Sequence, residues 1–161
     1  MALLIFVILG LAALLFCAFY SPHPPPDAKI IQNFQTHRAD FERLRTMLQE
    51  DTQLDTVADW GTRMRHGASL PTSRYDEYMK HLNQAHAYGA CRAEGDPAYP
   101  SIMLWGWGWA GHSWHLEICW LDQAPTNLIA TFDNYRGRSS YEHPFIAYRH
   151  VESNWYLWTD L

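Results

Sequence analysis

From Ala2 to Tyr20 the chain carries no charged residue and is almost wholly apolar. At about 1.5 Å per helical residue, such a run spans roughly the hydrocarbon core of a bilayer. No basic residue precedes it, and its exit through Phe16, Cys17, Ala18, Phe19 and Tyr20 offers bulky rather than small side chains. A cleaved signal peptide needs the opposite of both, so residues 1–20 read as an uncleaved transmembrane anchor. Tyr20 then falls at the lipid interface. The prolines within residues 21–26 cannot continue a helix and form a short, stiff spacer. Folding is thereby confined to residues 27–161, enough for one ordinary core and too few for two.

Orientation rests on opposed cues. Lys29 and Arg38 flank the anchor on its C-terminal side, which positive-inside logic counts towards a cytoplasmic domain. The plan of anchor, proline spacer and compact tryptophan-rich domain points the other way, and the expectation is an extracytoplasmic, periplasmic domain. With 48% hydrophobic, 15% aromatic and 18% charged residues, the remainder should fold. A net charge of -5 with 12 Lys+Arg excludes a nucleic-acid surface, which needs clustered basic charge. Cys91 and Cys119 leave a disulfide open as a possibility without requiring one.

Ile30, Phe34, His37, Phe41, Leu44 and Leu48 recur at steps of three and four and share a helical face, with Asp27 as the cap. The pattern fits one long helix or two, broken near His37 and Arg38 and restarting at Asp40. Residues 51–60 read as a turn and a short strand with Leu54, Val57 and Trp60 as its apolar members. Ser73 and Asp76 form a capping box for a further helix, which Gly89 stops. Its inward face is Tyr75, Tyr78, Met79, Leu82 and His86. Alternation then predicts strands over 101–109, 112–121, 128–133, 145–151 and 155–159, with hairpins at Ala110-Gly111 and at 152–154. The fold class is α+β: after the N-terminal transmembrane helix, two helices packed on an antiparallel sheet.

The closing stretch Tyr148-Arg149-His150-Val151-Glu152-Ser153-Asn154-Trp155-Tyr156-Leu157 resembles the end of a set of small bacterial membrane-anchored or secreted envelope proteins of unknown function. A helix start like Asp40-Phe41-Glu42-Arg43-Leu44 and a mid-chain helix like Ser73-Arg74-Tyr75-Asp76-Glu77-Tyr78 fit the same set. The resemblance implies an envelope protein and assigns no chemistry to any residue. This chain departs from that pattern at Trp105-Gly106-Trp107-Gly108-Trp109, where a plainer strand is usual.

His115, Glu117 and Cys119 lie two apart on a strand and share a face, and each is a zinc-binding type. Successive positions about 6 to 7 Å apart on a straight strand do not converge on one ion, so the plainer reading is a partly exposed sheet face. No metal or other cofactor is expected. Trp105, Trp107 and Trp109 share a strand face whose reverse is bared by Gly106 and Gly108, open to close approach. Such a row is either core or a set of anchors for a partner. No Gly-x-Ser-x-Gly elbow or phosphate loop is present. The leading expectation is a membrane-tethered, non-enzymatic envelope domain, immunity- or inhibitor-like. It would bind a protein partner through Trp107 and Trp109, with Arg136 and Arg138 on the rim. The alternatives are a cell-wall glycan-binding module using the same tryptophans, and a metal-dependent hydrolase built on His115, Glu117 and Cys119 with His150.

Overall fold

A computed structural model describes residues 24–93, 98–109, 112–135 and 146–160, with the backbone alone at 107–109, 112–114, 135 and 160. The expected anchor, residues 1–20, lies outside them. Among the described residues no helix is long and apolar enough to cross a membrane. The spacer ends at Pro26 in extended, polyproline-like geometry, φ -53° and ψ 141°, and helix α1 (Asp27–Thr36) follows at once.

The long amphipathic stretch is two helices. α1 closes at His37, whose φ of -111° breaks the run, and α2 (Arg38–Glu50) restarts at Arg38 rather than Asp40. Ile30, Phe34, Phe41, Leu44 and Leu48 are all buried, as their spacing requires. Strand β1 (Leu54–Ala58) and strand β2 (Gly61–Met64) form a hairpin around Asp59 and Trp60. Helix α3 (Thr72–Gln84) starts behind Pro71 with no side-chain cap, so Ser73 is a helical residue and not the cap. α3 ends before Gly89: Ala85 fills the buried position expected of His86, and His86 is exposed at φ 51°.

Gly89 instead opens strand β3 (Gly89–Ala93), where a Cβ would lie 3.1 Å from the Val57 carbonyl oxygen and from Met103 Sδ. Strands β4 (Tyr99–Trp109), β5 (His112–Trp120), β6 (Ile146–Glu152) and β7 (Trp155–Asp160) complete the sheet. All neighbours are antiparallel, in the order β2-β1-β3-β4-β5-β7-β6. Among the described residues the fold is therefore α+β, with three helices rather than two against seven strands. Residues 128–133 are not a strand. Leu128 makes one bridge to Tyr148, and the chain then turns into a short 3-10 helix at Asp133–Tyr135.

Register explains the core. Val57, Ala90, Ile102, Ile118 and Leu157 are consecutive rungs across five strands, all fully buried on the helix-covered face. Arg149 is the next rung, and there the row meets Asp27 of α1. Above the row Phe34, Phe41 and Trp120 pack their rings against Trp155 at centroid distances of 5.4, 6.4 and 5.5 Å.

Trp155 also donates its indole N–H to Glu42 Oε1 at 3.0 Å, and Arg38 and Arg45 bind the same carboxylate. Burial pushes the Glu42 carboxyl upward, but these three donors outweigh it and hold it below its ordinary value of 4.5. A depressed carboxyl contributes stability that is present above its unfolded-state value and is lost as pH falls through its folded-state value. The urea midpoint should thus fall on acidification below about pH 4.5, and should fall less steeply in Glu42→Gln. An identical acid limb in the variant would assign the loss to other carboxyls.

Candidate functional site

The face of the sheet away from the helices carries a second row. Thr56, Cys91, Ser101, Cys119, Tyr156 and His150 are consecutive rungs, and Met103, Glu117, Trp158 and Tyr148 run beside them. Glu117 is buried there and accepts a short hydrogen bond from the Ser101 hydroxyl, which itself accepts the Trp158 indole N–H at 3.1 Å. Cys91 Sγ lies 3.9 Å from the same carboxylate, and Cys119 Sγ donates to the Tyr156 carbonyl at 3.5 Å. Burial first, and then the charge of Glu117, push both thiols well above the ordinary thiol range. Burial likewise pushes the Tyr88 phenol up to about 12. At neutral pH these groups stay protonated, the opposite of an activated nucleophile.

His115, Glu117 and Cys119 do share this face, and each is engaged separately. His115 Nδ1 is 3.5 Å from the Tyr88 hydroxyl, Glu117 binds Ser101, and Cys119 binds a backbone carbonyl. No three His, Cys, Asp or Glu side chains among the described residues converge closely enough to hold a metal ion. His150 does not join them, since its Nε2 lies 2.8 Å from the Ser153 carbonyl oxygen at the far edge of the sheet. Cys91 and Cys119 are free thiols that flank Ser101 on one rung. Two strand spacings separate them by about 9 to 10 Å, beyond the roughly 7 Å limit for a bridge.

The tryptophan-glycine segment forms a different kind of surface. The β3 ladder on β4 ends at Met103, and the β7 ladder on β5 begins at Leu116. Beyond those points β4 and β5 pair, among the described strands, only with each other for four rungs, from Gly106↔His115 to Trp109↔His112, with the Thr159 hydroxyl donating to the His115 carbonyl at 2.6 Å at the first of them. This two-stranded ribbon holds the expected binding residues Trp107, facing Trp114 in register, and Trp109, facing His112. Their side chains lie outside the described residues, as do Arg136 and Arg138 entirely. An irregularity between Met103 and Trp105 shifts the register, and Trp105 packs against the core.

At the ribbon's base the bare glycine face is approached closely, by a side chain rather than a helix. A Cβ on Gly106 would stand 2.5 Å from the Tyr88 hydroxyl. Tyr88 in turn faces Trp60, 5.7 Å away ring to ring. Trp60 was expected inside a strand, but it is 67% exposed because it occupies the β1–β2 turn. Trp60 and Tyr88 thus place an aromatic pair beside the ribbon base. The Asp59-Trp60-Gly61 sequence was the available signal, since Gly61 adopts φ 130° and pairs with Ala58 to close the hairpin around Asp59 and Trp60. No family model, curated protein or solved structure matches the chain.

Proposed function

We propose that the chain is a membrane-tethered, non-enzymatic domain of the bacterial envelope that binds a protein partner on the periplasmic side, as an immunity protein or inhibitor does. The observation that supports this reading is the ribbon. A two-stranded β-ribbon is marginally stable by itself, and among the described strands none pairs with its outer edges, so its extension beyond the sheet adds little to the domain's own stability. It presents main-chain donors and acceptors for strand addition, next to tryptophans of the type that dominates interface energetics. Trp60 and Tyr88 add an aromatic pair at its base.

A photo-crosslinking amino acid at Gly108, activated in living bacteria, should yield one discrete protein adduct. Trp107→Ala and Trp109→Ala should each weaken capture by about 30-fold or more, the loss typical of an aromatic anchor. No adduct, together with sedimentation of the chain on purified peptidoglycan, would transfer the ribbon to sugar binding instead.

A further inference from the structure

At the opposite end of β4 from the ribbon lies an open cleft of about 570 Å³, between the C-terminal end of α2, the start of β4 and the end of β5. That volume is in the usual range for small-ligand sites. Arg92 stands on its wall. Arg38, Arg43, Arg45, Arg63, Arg65, Arg74 and Arg149 each hold a carboxylate within ion-pair distance. Among the described residues Arg92 is the arginine that holds none. One N–H of its guanidinium donates to the Leu48 carbonyl oxygen at 2.9 Å, which caps the last turn of α2 and fixes the group in place. Its buried Nε has no acceptor. Capping explains one donor of five and leaves a positioned cation facing a cleft.

Part of the remaining lining has complementary chemistry, beside the acidic Asp122. Gln49 and Gln123 offer side-chain amides that pair with peptide groups, and Tyr99 and Trp120 offer ring surface. The Trp120 ring is held by the Arg45 guanidinium, 4.3 Å from its centroid, and its indole N–H donates to Asp122 at 3.2 Å. We propose that this cleft binds the carboxylate end of a short peptide, with Arg92 taking the carboxylate and Gln49 and Gln123 the adjoining peptide groups. Guanidinium is suited to a planar carboxylate, and a group already fixed by Leu48 loses little freedom on binding. The net charge of -5 gives no long-range attraction for an anion, so recognition depends on these local donors. The site does not rest on the ribbon reading, and either can fail alone.

The test uses the full chain in mild detergent, following the indole N–H resonance of Trp120 during titration with trialanine, with trialanine amide and with succinate. Trialanine should shift the resonance saturably, its amide should bind at least about tenfold more weakly, and succinate should also bind more weakly. Arg92→Gln should lower trialanine affinity at least about tenfold, and Arg92→Lys should keep part of it. Equal affinity for the acid and the amide, or no saturable shift up to about 10 mM, would overturn the proposal. Succinate binding as tightly as trialanine would overturn its peptide component. If Arg92→Gln does not fold, the acid and amide comparison on the unaltered chain decides by itself.

Discussion

Replacing Trp155 with alanine should remove about 4 kcal/mol of unfolding free energy, a large share of the 5 to 15 kcal/mol typical of a folded domain. Trp155 is fully buried and is the ring that Phe34 of α1, Phe41 of α2 and Trp120 of β5 all touch. Its loss opens a cavity where two helices meet the sheet, and it also takes a donor from Glu42. With a urea slope near 2 kcal/mol per molar, the midpoint should fall by about 2 M. Trp155→Phe keeps most of the ring volume but not the indole N–H, so it should cost about half as much. Urea titrations followed by far-ultraviolet circular dichroism separate the two variants. Equal losses would make the hydrogen bond to Glu42 the dominant contribution and the ring packing minor.

Trp155 also shows what could be read in advance. It sits in an alternating strand, and such alternation located β4 to β7 to within about two residues, because alternate side chains such as Leu116 and Ile118, or Trp155 and Leu157, are buried in the core. The helical steps through Ile30, Phe34, Phe41, Leu44 and Leu48 located α1 and α2 for the same reason. β2 and β3 left no such trace. β2 is an edge strand whose Thr62 and Arg63 are exposed, and the buried members of β3 are the small Ala90 and Gly89, the latter kept bare by close neighbours.

Residues 128–133 show the converse error. Leu128, Ala130 and Phe132 alternate as a strand would, yet Phe132 is buried because its N–H binds Asp27, 105 residues away. The candidate site was legible only where it lay within one segment, as along the ribbon. Ser101 and Trp158 beside Glu117, Tyr88 over Gly106, and Arg92 beneath Leu48 are meetings made by sheet order, and no local spacing encodes them.

The largest of these long-range contacts is the one at Asp27. Read from spacing it is a helix cap, but Pro26 holds the cap position and Asp27 is the first helical residue, only 1% exposed. Its carboxylate accepts from the Arg149 guanidinium, from the Phe132 N–H at 2.7 Å and from the Thr131 hydroxyl at 2.7 Å. One side chain thus joins the start of α1, the 131–133 segment and edge strand β6. Arg149→Leu takes the guanidinium away from that buried carboxylate, and should cost about 3 kcal/mol or more. Asp27→Asn keeps an acceptor for Phe132 but removes the charge beside Arg149, which is partly exposed and remains hydrated, so it should cost less, about 2 kcal/mol. Both variants should speed amide hydrogen exchange at Phe132 before any change appears at Ile102 or Ile118 in the central row, since the joint lies at the sheet's edge. A loss below about 1 kcal/mol for Arg149→Leu would mean that solvent reaches Asp27 and that the pair behaves like a surface salt bridge. The stabilities come from urea unfolding, and the order of exchange from the amide protons of those three residues. Because α1 begins directly behind Pro26, the same joint fixes where the described chain enters the domain.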